Sequence, residues 1–95
     1  MNQYESVIII NSNTEDSRIK DIIETIKKKV IENNGNITNV EELGLKKLAY
    51  EVKKCKEGYY VVIEFKTKPE IITELERYFR ITEEIIKFIT IRKED

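Results

Sequence analysis

A chain of 95 residues, 40% hydrophobic and 37% charged, is too short for two separate cores and is expected to form a single domain over residues 1–95 with a heavily solvated surface. With no histidine and one cysteine, Cys55, it holds no internal disulfide, no Ser-His or Cys-His nucleophile pair and no Cys/His cluster for a metal. A net charge of −1 argues against a uniformly basic nucleic-acid binder, so any such role must come from how the charges are distributed.

Residues 4–10 are rich in β-branched side chains, with Tyr4, Ser6, Ile8 and Ile10 on one face and Glu5, Val7 and Ile9 on the other, as suits a central strand. Residues 11–14 supply turn and N-cap chemistry, and Glu15 and Asp16 put negative charge at the start of a helix. Ile19, Ile22, Ile23, Ile26 and Val30 then recur at three- and four-residue spacing, which predicts an amphipathic helix lying on a sheet. Asn34-Gly35 closes it, with glycine expected in the left-handed C-cap position. A second strand is expected over about 36–53, interrupted near 42–44, and a polar turn over 54–58 leads into a strand over 59–66. Tyr59, Val61, Ile63 and Phe65 are then expected to face the helices, while Tyr60 and Val62 face outward beside Val7 and Ile9. Pro69 suits the first turn of a second helix carried by Ile72, Leu75 and Phe79. Residues 85–91 form the last strand, and 92–95 read as a tail.

The order strand, helix, strand, strand, helix, strand predicts an α+β, ferredoxin-like split βαβ fold: a four-stranded antiparallel sheet with both helices on one face. Its open face would carry Tyr60, Val62, Val7 and Ile9, an aromatic-aliphatic patch of the kind that marks a partner surface. Charge is segregated along the chain. Residues 46–56 hold five lysines (Lys46, Lys47, Lys53, Lys54 and Lys56) against Glu51, whereas 70–84 hold five glutamates against Arg77 and Arg80. Opposed faces of different sign would let one side dock to phosphate.

Catalysis has little support. The loop at 11–14 lacks the glycine of a phosphate-cradling loop, and Glu41-Glu42 and Glu83-Glu84 have no apolar surroundings to raise a pKa. The segment 56–61, KEGYYV, is a poor match to the third-strand signature of the RNA recognition motif, so base stacking on the sheet centre is not expected. Cys55 reads as an incidental thiol beside a turn. The longest apolar run, 7–10, is far below a membrane-spanning length, and the N-terminus lacks a signal-peptide layout, so a cytoplasmic location is expected.

The stretch 40–52, VEELGLKKLAYEV, resembles the signature of the bacterial small-subunit ribosomal protein six family, with its glycine, paired basic residues and Leu-Ala-Tyr. The likeness extends over the chain: Tyr4-Glu5 before an apolar strand, Gly58-Tyr59-Tyr60 in a later one, and an isoleucine-rich last strand ending in Arg92. The resemblance implies a ribosome-associated structural component of the small subunit that pairs with small-subunit ribosomal protein eighteen. The pair would bind the central domain of small-subunit rRNA, with no cofactor and no enzymatic activity. It places Lys46, Lys47 and Tyr50 near RNA or the partner and adds Tyr4, Lys87 and Arg92 as polar positions of the first and last strands. With the remaining lysines of the basic run, the expected RNA set is Tyr4, Lys46, Lys47, Tyr50, Lys53, Lys54, Lys56, Lys87 and Arg92. A ferredoxin-like regulatory or small-ligand-binding module is the alternative. Glu51-Val52 departs from the Pro-Ile usual after the Leu-Ala-Tyr, so the local geometry there is expected to differ.

Overall fold

A computed structural model of the chain describes residues 1–93. The N-terminal apolar stretch forms strand β1 (Asn2–Asn11), the isoleucine stripe forms helix α1 (Asp16–Glu32), and the long following segment forms β2 (Asn36–Val52). Strand β3 (Cys55–Thr67), helix α2 (Pro69–Ile81) and strand β4 (Ile85–Lys93) complete the order. All pairings are antiparallel, in a single sheet ordered β2-β3-β1-β4. This is the ferredoxin-like split βαβ fold.

The core lies between the sheet and the two helices. Tyr4, Ile8 and Ile10 of β1 and Val61, Ile63 and Phe65 of β3 meet Ile19, Ile22, Ile23, Ile26 and Val30 of α1 and Leu75 and Phe79 of α2. Burying each of the larger aliphatic chains contributes roughly 1.5–3 kcal/mol, so the two helical stripes fix which face of the sheet is covered. The strand period then sends alternate residues the other way. Val7 pairs Val62 and Ile89, and Ile9 pairs Tyr60 and Lys87, all on the open face.

Four local features differ from expectation. Helix α1 has Glu15 at its N-cap with no side-chain cap, and the Asn11 side chain accepts from the Asn13 N–H at 2.9 Å within the preceding turn. At the other end it is Asn34 that takes the left-handed conformation (φ 65°), while Gly35 is required for space: a Cβ there would lie 2.6 Å from the Lys66 carbonyl oxygen. The β2–β3 hairpin turns at Lys53-Lys54, not over 54–58, with φ of 47° and 66°, the doubly left-handed geometry of a two-residue turn. Gly58 is therefore a strand residue. Finally, β4 continues to Lys93 and bulges near Ile86, so Ile85 pairs Ile10 in the core while Lys87 pairs Ile9 on the open face.

Candidate nucleic-acid and partner interface

The ladder that joins β3 to β1 ends at the pair Asn11 and Gly58, and beyond it only β2 and β3 continue, as a hairpin arm over residues 47–57. Its geometry follows from unequal strand lengths. One extra residue enters β2 at Leu43, beside Gly44 in a left-handed conformation (φ 83°). A Cβ at Gly44 would meet nothing within 4 Å, so glycine serves the backbone angle there and not packing. Three more residues are inserted in β2 between the pairs Lys47–Glu57 and Val52–Cys55. Extra length on one strand of a ribbon bends it.

The bend brings Tyr50, on one edge strand, to Lys87 on the opposite edge strand. Lys87 Nζ donates to the Tyr50 hydroxyl at 2.7 Å and lies 5.0 Å from the centre of its ring. Through that hydrogen bond the Tyr50 phenol is held below its ordinary pKa and the Lys87 ammonium above its own. Tyr50 nevertheless stays 64% exposed. Lys46, Lys47, Lys53, Lys54 and Lys56 are all exposed along the arm, and Lys53 lines a depression of about 320 Å³ with Phe79, Arg80, Ile85, Ile86, Lys87 and Phe88. The arm thus brings part of the lysine run to the start of β4. Arg80 belongs to the net-acidic run 70–84 of the sequence, yet the fold sets it beside Lys53 and Lys87.

Of the other expected site residues, Tyr4 and Ile9 are not free contacts and Arg92 lies apart from the arm. Tyr4 is 7% exposed, stacked on Phe65 at 5.9 Å between ring centres, and its hydroxyl accepts from Asn2 Nδ2 at 3.2 Å. It belongs to the core, because the strand period places it with Ile8 and Ile10, and so it is not the surface contact expected of it. Ile9 does face the open side but is 8% exposed: it sits over Gly58, close to buried Ile86. It is a filled position, not a free contact. Arg92 is exposed and pairs Tyr4 on β4, at the end of the strand away from Lys87.

What remains of the open face is an apolar stripe. Val7, Val62 and Tyr60 are half-buried, while Ile89, opposite Val7, is 58% exposed and Ile91, opposite Glu5, is 46% exposed. The two isoleucines were missing from the expected patch, although the alternation of β4 places them on one face with Lys87. Beyond the stripe a polar cluster closes the face. Lys93 bridges Glu5 at 3.5 Å and also pairs closely with Glu64, which accepts from Asn39 at 3.3 Å and is held below the usual carboxylate range chiefly by the Lys93 hydrogen bond. The open face therefore runs from a neutralised polar end, across an apolar middle, to a cationic end under the arm.

No group of three or more metal-binding side chains occurs among the described residues, and no helix among them is long and apolar enough to cross a membrane. Fold and surface together define a small ferredoxin-like α+β domain whose open face joins an apolar stripe to a lysine-rich arm. The chain belongs to the ribosomal protein S6 family, whose model matches residues 3–92. It is 38% identical over its full length to the small ribosomal subunit protein bS6 of Caldanaerobacter subterraneus, all of which it covers. It is 40% identical to that of Clostridium novyi, with 99% of each chain covered. The crystal structure of the 30S ribosomal protein S6 of Thermotoga maritima superposes with a TM-score of 0.91 at 40% identity, over 97% of this chain and 87% of the other.

Proposed function

We propose that this protein is a structural component of the bacterial small ribosomal subunit. In this reading it binds the central domain of small-subunit rRNA together with small-subunit ribosomal protein eighteen, in the cytoplasm, without cofactor or catalysis. The observation that supports it is the division of labour on one surface of a family member. Lysines gather on a bent arm at one end of the open face, and an uncharged stripe of Val7, Val62, Ile89 and Ile91 occupies the middle. The arm, with Lys46, Lys47, Lys53, Lys54, Lys56, Tyr50 and Lys87, supplies phosphate contacts; Tyr60, Val62, Val7 and the two isoleucines receive the protein partner. A chain with a net charge of −1 gains RNA affinity by sharing the site with a more basic partner.

The test is the double variant Lys46→Glu, Lys47→Glu, assayed for binding to small-subunit rRNA with the partner present across a salt series. Binding is expected to weaken, and the slope of log affinity against log salt to fall by about one for each phosphate that the variant no longer neutralises. An unchanged affinity and slope would remove these lysines from the RNA surface.

A further inference from the structure

The depression at the start of β4 joins three cations that are far apart in sequence: Lys53 from the hairpin turn, Arg80 from the end of α2 and Lys87 from β4. None of them pairs with a carboxylate within 4.0 Å among the described residues, in contrast to Arg18, Lys27, Lys28, Lys29 and Lys93. Phe79, Ile85, Ile86 and Phe88 line it between them; Phe88 is half-buried and the other three are buried, and the Arg80 guanidinium lies 5.9 Å from the Phe88 ring centre. Lys53 holds its place in a left-handed conformation (φ 47°) that a lysine adopts only at a cost, and the exposed Tyr50 ring stands at the rim through its hydrogen bond to Lys87.

We propose that this depression receives one unpaired RNA nucleotide, with its phosphate among Lys53, Arg80 and Lys87 and its base on the side formed by Arg80 and the half-buried Phe88. The inference rests on the rRNA-binding reading and extends it from backbone attraction to a defined pocket. A volume of about 320 Å³ is at the small end of ligand sites and suits a single nucleotide. Flat bases stack on aromatic rings and on arginine planes when they are splayed from a strand. An acidic peptide would satisfy the cations but would bring no flat apolar surface to Arg80 and Phe88.

The experiment is a nuclear magnetic resonance titration of the full chain with cytidine and guanosine 5′-monophosphates, ribose 5-phosphate and hexaglutamate. Saturable amide shifts are expected at Lys53, Arg80 and residues 85–88 with the mononucleotides, and weaker binding at the same residues with ribose 5-phosphate. Arg80→Gln and, separately, Lys53→Gln should each raise the mononucleotide Kd about threefold to fivefold while leaving the thermal melt intact. Shifts spread evenly over all surface lysines, or none at all, would overturn the proposal, as would hexaglutamate binding as tightly as the nucleotides. If those negative results accompany rRNA binding that still depends on Lys46 and Lys47, only the nucleotide pocket falls. If the salt-dependent rRNA binding is itself absent, the reading beneath it falls.

Discussion

Adding one methyl group at Gly58 tests how the open face is built, because the missing side chain there is what lets Ile9 lie flat beneath the arm. A Cβ on Gly58 would stand 2.2 Å from Ile9 Cγ2 and 3.7 Å from Ile86 Cδ1. Cγ2 is bonded directly to the branched Cβ of Ile9, so it cannot swing aside without a change of a stiff χ1. Overpacking of this kind costs about 1–3 kcal/mol, and in a domain of this size each kcal/mol lowers Tm by roughly 4–8 °C. Ile9→Ala alone removes a nearly buried side chain and should cost about 2–5 kcal/mol. The double variant is the decisive sample. Once Ile9 is truncated, the Gly58→Ala methyl has room, so its added cost should shrink by about 1–3 kcal/mol. Urea denaturation of the four proteins, with a common m-value, measures the cycle. Additivity within about 0.5 kcal/mol would refute the packing argument and return Ile9 to the free partner surface.

Other expectations can be checked with simpler variants. Ile89→Asp, on an exposed position of the apolar stripe, should change folding stability by no more than about 0.5 kcal/mol yet abolish the partner complex in a pull-down; intact binding would move the partner off this face. Replacing Lys53-Lys54 by Asn-Gly should raise stability by about 1 kcal/mol in denaturant melts, because both residues hold positive φ, while weakening RNA binding through the removed charges. A loss of stability would mean that the lysine side chains hold the turn. For pH, Arg18 donates to both carboxylate oxygens of Glu84, at 3.0 and 3.2 Å, and holds it below the usual carboxylate value. A depressed folded pKa means that its stabilisation is full above the ordinary value of 4.5 and is lost as pH falls through the lower folded value. Arg18→Gln should therefore flatten the acid side of the stability profile, by less than about 1 kcal/mol because the pair is about a third exposed or more. An acid limb of unchanged steepness would assign it to other carboxylates.

Wherever one periodicity ran uninterrupted, the sequence was readable. The stripe from Ile19 to Val30 and the alternation from Tyr59 to Phe65 specify the helices' side of the sheet, since a one-residue slip would turn every apolar group to water. Legibility failed where the chain departs from a regular period for reasons that lie in another strand. Gly58 looked like a turn residue, but its neighbour across the ladder, Ile9, is what demands it. The true turn carries two lysines, and no glycine or asparagine advertises it. Tyr4 is a different case: the regular alternation of β1 already groups it with Ile8 and Ile10, and it is the family resemblance, not the period, that suggested a surface role. The approach of Lys53, Arg80 and Lys87 depends on three inserted residues that bend the arm, a consequence of register between strands that single-chain spacing does not contain.

As a proposed stoichiometric part of the small ribosomal subunit, the chain should travel with that particle. A bacterial lysate that expresses the tagged chain is sedimented through a sucrose gradient, before and after a wash at moderate salt. Co-migration with the small-subunit fractions is expected, surviving the wash and disappearing in the Lys46→Glu, Lys47→Glu variant. Recovery of the folded wild-type chain only at the top of the gradient would contradict it.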